Sequence, residues 1–316
     1  MTALRRLSEK PWIWAYAGAF AVWLATIAFT GGTGGGEVLT ATLSFATFSV
    51  IVAVGQMFVI TLGPGNVDLS IPATMTLAGA VAMKVMNGQD GMILFGLLVA
   101  LGCGVGVGVF NYLLIRLLRI PPIIATLSSS FIVLSAAISY SRGIRIKPPP
   151  SLASFTTWVI DGVPVLAVTI IGVTAAMSVV LHRTIYGRTV TALGQNARAA
   201  RLAGLPVDWV RFATYALSGA FAGLNGYLLS GFSGGAALNM GSEYLLASIA
   251  VVVIGGTSVA GGFANLPGLW GAAALLFLLV TMLNTYGFGA GSRLLLTGLI
   301  IIAVIMLAGG KKEGAR

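Results

Sequence analysis

The chain has 316 residues, 57% hydrophobic and only 8% charged, with a mean hydropathy of +0.98 and a formal net charge of +10. So few charges cannot hydrate the surface of a soluble domain of this size, which excludes an ordinary globular protein and points to a polytopic membrane chain. The positive balance then reads as a cytoplasmic excess of Lys and Arg rather than as a nucleic-acid footprint.

The apolar runs are close to membrane-spanning length and do not alternate with period two, so the expected fold class is all-α rather than a barrel. Ten candidate helices follow in chain order, at 11–30, 39–62, 71–87, 91–115, 121–141, 165–182, 211–231, 243–261, 266–287 and 293–309. Arg5, Arg6 and Lys10 precede the first, as in a signal peptide. That apolar run is too long for a signal-peptide core and another span follows soon after, so it reads as a retained helix. Residues 1–316 then form a single transmembrane domain. Cys103 lies within an apolar run and reads as a small packing residue.

Orientation comes from the basic residues. With the N-terminus in the cytoplasm, thirteen of the eighteen Lys and Arg fall on that side, including Arg116, Arg119, Lys311, Lys312 and Arg316. The exceptions are Lys84, Arg142, Arg145, Lys147 and Arg293. An even number of spans returns the C-terminus to the cytoplasm. The loop 182–211 is then cytoplasmic, a polar island holding Arg183, Arg188, Arg198, Arg201 and Arg211 against the single acid Asp208. Glycine pairs four residues apart, Gly102/Gly106, Gly104/Gly108 and Gly219/Gly223, each mark one helix face where backbones approach closely.

No catalytic or metal-binding constellation is visible, and neither a metal nor a cofactor is expected. No Walker A loop appears, so a transporter driven by ATP would need the nucleotide held by another chain. Two glycine-rich interruptions, GPGNVDLS at 63–70 and GGTSVAGG at 255–262, read either as broken helices on a transport path or as tight turns. Within them lie Asn66, Asp68, Gly255, Gly256, Thr257 and Ser258. A carboxylate at mid-membrane depth costs about 2.5–3.5 kcal/mol, so Asp68 either lines the path with partners or caps the helix that begins near Ile71. Gln56, Asn111, Asn225, Asn239 and Asn284 are further polar residues in or beside spans, open to path or packing roles.

Four collinear segments carry a family likeness. GQMFVITLG (55–63) with Asp68-Leu69-Ser70, RIPPIIATL (119–127), the loop from Gly187 to Gly204, and VIGGTS (253–258) with Gly261-Gly262 together resemble the ribose-type sugar permeases of ABC importers. The resemblance implies an inner-membrane permease that passes a monosaccharide or related polyol by alternating access. It implies as partners two ABC ATPase subunits, a second permease copy or a paralogous permease, an extracytoplasmic sugar-binding protein and the lipid bilayer, but no nucleic acid. It also implies that Asn196, Arg198, Ala199, Ala200, Arg201, Leu202, Ala203, Gly204 and Leu205 form the contact with the ATPase. A short helix there is expected to set Ala199, Ala200 and Ala203 on one face. Arg198 stands where many members have Glu, and Pro64-Gly65-Asn66 is an insertion. Both departures are compatible with pairing to a different permease. A permease for nucleosides or branched-chain amino acids is the neighbouring alternative. An ion-coupled transporter is another, for which Asp68 and Glu243 are the intramembrane acids.

Overall fold

The computed structural model describes residues 11–141, 146–287, 289, 291, 292, 295, 296, 298, 299 and 302. The described chain is helical because a helix satisfies backbone N–H and C=O groups within one segment, as a hydrocarbon environment requires. In order the helices are α1 (Pro11–Phe29), α2 (Gly35–Thr61), α3 (Ile71–Met86), α4 (Ile93–Leu117) and α5 (Pro122–Ser141). They continue with α6 (Pro150–Thr157), α7 (Val165–Arg183), α8 (Ile185–Leu202), α9 (Val207–Phe232), α10 (Tyr244–Ile254) and α11 (Leu266–Thr285). A two-residue antiparallel hairpin, β1 (Val159–Ile160) and β2 (Val163–Pro164), links α6 to α7. Six of the described helices are long and apolar enough to cross a membrane: Trp12–Phe29, Gly35–Thr61, Asp90–Leu117, Pro122–Ser141, Val165–Arg183 and Leu266–Thr285.

Two helices organise the packing. Every residue of α2 from Val50 to Thr61 is buried, so this helix, apolar on all sides, needs protein all round it. It finds that cover in α7, α9, α10 and α11. Helix α9 packs in turn along α4, α3 and α2. The α4–α9 crossing is backbone against backbone. A Cβ on Gly104 would overlap the Gly219 carbonyl oxygen, one on Gly108 the Tyr215 carbonyl, and one on Gly223 the Ala100 carbonyl. Small residues permit this approach where no hydrophobic drive exists between helices in lipid. Gly102 and Gly106, on the same helix, face open space. The packing role expected of the glycine pairs therefore belongs to Gly104/Gly108 and Gly219/Gly223, and not to Gly102/Gly106.

Several expected elements change length. The span at 243–261 is realised as the eleven-residue α10, which stops where Gly255 and Gly256 begin a folded turn held by Asn265. The span at 211–231 starts earlier, at Val207, with Asp208 in its first turn. The expected span 293–309 falls largely outside the described residues. So do Arg5, Arg6, Lys10, Arg142, Arg145, Arg293, Lys311, Lys312 and Arg316. Hydropathy gives no signal for α6 or the hairpin, which are too short to register in a span-length window.

The crossing makes a test. Gly104→Ala is expected to destabilise the protein by about 1–3 kcal/mol through overpacking against the α9 backbone, while Gly106→Ala is neutral. Thermal unfolding of the detergent-purified variants followed by size exclusion checks this; equal losses for both would contradict the crossing.

Candidate functional site

The first interruption folds into a buried polar knot. Asp68, 1% exposed, follows the end of α2 and is enclosed by donors. Its Oδ1 accepts from the Ser70 N–H at 3.0 Å and the Ser70 hydroxyl at 2.6 Å, with Asn111 Nδ2 at 3.5 Å. Its Oδ2 accepts from the Ser218 hydroxyl at 2.7 Å. Its own N–H donates to Gln56 Oε1 at 3.2 Å. Asn111 Nδ2 also donates to Ser70 Oγ at 2.7 Å, and its Oδ1 accepts from Ser129. Thr126 Oγ1 accepts from the Leu69 N–H at 3.1 Å, and Asn66 Oδ1 accepts from the Tyr215 hydroxyl at 3.2 Å.

The knot thus draws on α2, α3, α4, α5 and α9. A carboxyl group buried this deeply needs its oxygens hydrogen-bonded, and here hydroxyls and amides do so. As for capping, the N-cap position of α3 is Ser70, which makes no side-chain cap bond. Of the groups at that end, Asp68 takes the Ser70 N–H and hydroxyl. The structure brings Gln56, Asn66, Asp68 and Asn111 into this one cluster. Gln56 Nε2 is buried there without a hydrogen-bond partner. Ser70, Ser129, Thr126, Ser218 and Tyr215 complete the cluster. Ser70 and Thr126 lie within the family-like segments Asp68-Leu69-Ser70 and RIPPIIATL (119–127), whereas Ser129, Ser218 and Tyr215 are lone hydroxyls within apolar helices and stand out in no pattern.

Gly255, Gly256, Thr257 and Ser258 lie elsewhere, in the turn after α10. Asn265 Nδ2 donates to the Gly255 carbonyl at 2.8 Å, Thr257 Oγ1 accepts from the Asn265 N–H at 3.2 Å, and the Ser258 N–H reaches the Phe263 carbonyl at 3.0 Å. This turn meets the first interruption and α8 at one point. The Gly262 N–H donates to the Thr61 carbonyl at 3.0 Å, and Gln195 Nε2 donates to the Gly262 carbonyl at 3.3 Å. A Cβ on Gly194 would overlap both the Thr61 carbonyl oxygen and the Gly262 nitrogen, and one on Gly261 would overlap Gly63. Two interruptions and the polar loop therefore share a junction made of backbone. Asn239 lies in neither place, but on the exposed segment between α9 and α10.

The loop 182–211 folds as α8, kinked at Asn196, where φ is −160° and ψ is 98°. Asn196 Oδ1 accepts from the Ala199 N–H at 2.9 Å, so the side chain caps a second short helical piece. Gly204, at φ +77°, closes that piece with the Leu205 N–H bonded to the Ala200 carbonyl at 3.1 Å. The expected alanine face is corrected. Ala200 turns into the core, at 5% exposed, while Ala199 and Ala203 remain outside beside Leu202, which is 82% exposed. Positions 199 and 203 share a face at 3.6 residues per turn; position 200 is about a quarter-turn away. Arg198, Arg201 and Gly204 are exposed and Leu205 is half-buried. Arg201 and Arg116 both pair with Asp208, at 3.6 and 3.1 Å, which fastens this loop to the end of α4.

Residues 38–308 match the protein family described as branched-chain amino acid transport system / permease component. Among its relatives, the chain is 32% identical to the ribose import permease protein RbsC of Bacillus subtilis (strain 168) over 261 residues, 81% of this chain and 80% of the relative. It is 31% identical to the autoinducer 2 import system permease protein LsrC of Enterobacter sp. (strain 638) over 280 residues, 86% and 81% of the two chains. It is 34% identical to the inner membrane ABC transporter permease protein YjfF of Escherichia coli (strain K12) over 266 residues, 79% and 77% of the two.

The knot predicts graded losses. Ser218→Ala, which removes one donor from a buried carboxylate, is expected to lower stability by about 1–3 kcal/mol. Asp68→Ala, which strands the Ser70, Asn111 and Ser218 donors together, is expected to lose more. Unfolding by added SDS in mixed micelles measures both, and a Ser218→Ala variant as stable as the parent would contradict the geometry.

Proposed function

We propose a function from one premise: this chain belongs to the branched-chain amino acid transport system / permease component family. It is a non-catalytic permease subunit of an ABC transporter. In our reading it passes a monosaccharide or related small polyol into the cytoplasm by alternating access. Relatives along most of the chain that are named ribose and autoinducer 2 import permeases support that solute class. ATP is hydrolysed in partner ATPase subunits on the cytoplasmic face. A second permease copy or a paralogous permease, and an extracytoplasmic sugar-binding protein, complete the importer.

The membrane arrangement belongs to the same proposal. Residues 1–316 form one permease domain of ten spans, the tenth over 293–309, with both termini cytoplasmic and broken-helix regions at 63–70 and 255–262. The solute path draws on Gln56, Asn66, Asp68, Asn111, Asn239, Gly255, Gly256, Thr257 and Ser258, with Asp68 as the knot that fixes the wall. The loop 182–211 is the coupling segment, and 196–205 within it meets the ATPase.

One observation carries this reading: the exposed end of α8 is continuous, through Gly194, with both interruptions. A motor that moves the loop moves the path. Leu202, almost fully exposed beside Ala199, Ala203, Arg198 and Arg201, suits insertion into a cleft with an acidic rim. An ion-coupled mechanism through Asp68 fits less well, since that carboxylate is already taken up by Ser70, Asn111 and Ser218.

Leu202→Glu and Ala199→Glu sit on the exposed face and leave the core untouched. Each is expected to abolish co-purification of the ATPase subunit and ribose uptake while membrane insertion stays normal. If both variants retain the ATPase at the parent level, the docking assignment fails.

A further inference from the structure

The segment joining α9 to α10, residues 233–243, is not helical, yet it runs back along α3 and α9 rather than away from them. Its course is fixed by contacts to α3 and α9. Gly226 of α9 abuts the Met75 backbone, and a Cβ there would overlap the Met75 carbonyl. The Ser230 hydroxyl lies 3.6 Å from Met240 Sδ. Gly241 abuts the backbone of Pro72, about one turn before Met75 in α3. At 1.5 Å per residue, Gly241 therefore lies about 13 Å inward of the Phe232 end of α9, inside a hydrocarbon layer about 30 Å thick. The chain descends to that depth as irregular backbone, and α10 carries on from there.

Irregular backbone at membrane depth persists only where protein buries it or water bathes it. Here the single chain buries Gly241 and half-buries Met240 but leaves Asn239, Ser242 and Glu243 exposed. Glu243 makes no capping bond to α10, and among the described residues the ion pairs found both use Asp208. Lipid is an untenable neighbour for this carboxylate. A dry contact with a second copy is no better. At the axis of a two-fold interface the patch would face itself, and residues 233–243 include no Lys or Arg to neutralise the charge.

Water, and the solute that travels in it, is the neighbour that satisfies these groups. We infer that Asn239, Ser242 and Glu243 form the solute-facing wall of the translocation path, with the Glu243 carboxylate accepting hydrogen bonds from the hydroxyls of a polyol. This deepens, and rests on, the permease reading given above. It moves the contact with solute away from the Asp68 knot, whose carboxylate is enclosed, to a second acid that is open.

The test uses the complete importer in proteoliposomes, with ATPase and binding protein. Glu243→Ala is expected to reduce uptake of radiolabelled ribose by about tenfold or more, the loss of one charge-assisted contact, with Glu243→Gln intermediate and ATPase co-purification unchanged. Ser242→Cys in a Cys103→Ser background is expected to react with a water-soluble, membrane-impermeant thiosulfonate. Unaltered ribose uptake by Glu243→Ala would overturn the inference. So would an introduced thiol that reacts only with lipid-soluble reagents, or one that crosslinks two permease copies on oxidation. If the parent importer carries no ribose at all, the sugar reading falls, and thiol accessibility alone then decides whether this segment lines a watery path.

Discussion

A single carboxyl group buried among the helices governs how this chain is put together. Asp68 gathers hydrogen bonds from Ser70, Asn111 and Ser218, while its N–H is taken by Gln56. Each of these partners belongs to a different helix or its cap, and Ser129 and Thr126 bring in a fifth. Apolar side chains alone do not register helices against one another in lipid, because lipid tails compete for the same contacts. A buried carboxyl group does, since few arrangements satisfy it. The α4–α9 glycine crossing is consistent with this: Gly104, Gly108, Gly219 and Gly223 let the two backbones close to the distance at which Asn111 and Ser218 both reach the knot.

On the depth inferred for Glu243, the chain shows two ways of keeping acid below the membrane surface. Asp68 is surrounded, and the helices around it are locked. Glu243 is left open, at the end of a segment that the described chain covers only in part, at Gly241 and Met240. In the path we propose, the first arrangement serves as a fixed wall and the second as a contact that forms and releases. Transport needs both, because a path must keep its shape while its occupant changes.

Much of this was legible in the residues. Membrane class followed from the scarcity of charge, and the interruption at 63–70 from glycine, proline and Asp68 standing within an apolar run. The capping role of Asn196 belongs to a residue type that favours that position, and Gly204 ends the piece as a left-handed glycine. What escaped was whatever hydropathy averages away. Ser218 is one hydroxyl in a long apolar helix, and nothing in its neighbours marks it as the partner of a residue 150 positions earlier. Residues 232–242 fell between the expected spans, since the inferred descent depends on Gly241 meeting Pro72 and not on local composition. Ala200 leaves the face expected for it because three alanines look alike until the kink at Asn196 sets the phase of the helix.

The junction of Gly63, Gly194, Gly261 and Gly262 has one more consequence. Most packed interfaces yield by small changes of rotamer, so a push on one element is partly absorbed before its neighbour moves. Here, apart from the Gln195 side chain on Gly262, main chain touches main chain and there are few rotamers to turn. The joint has no slack. Displacement of α8 is therefore handed at once to the end of α2 and to the turn before α11, and the two halves of the chain are geared to shift in one stroke rather than in succession.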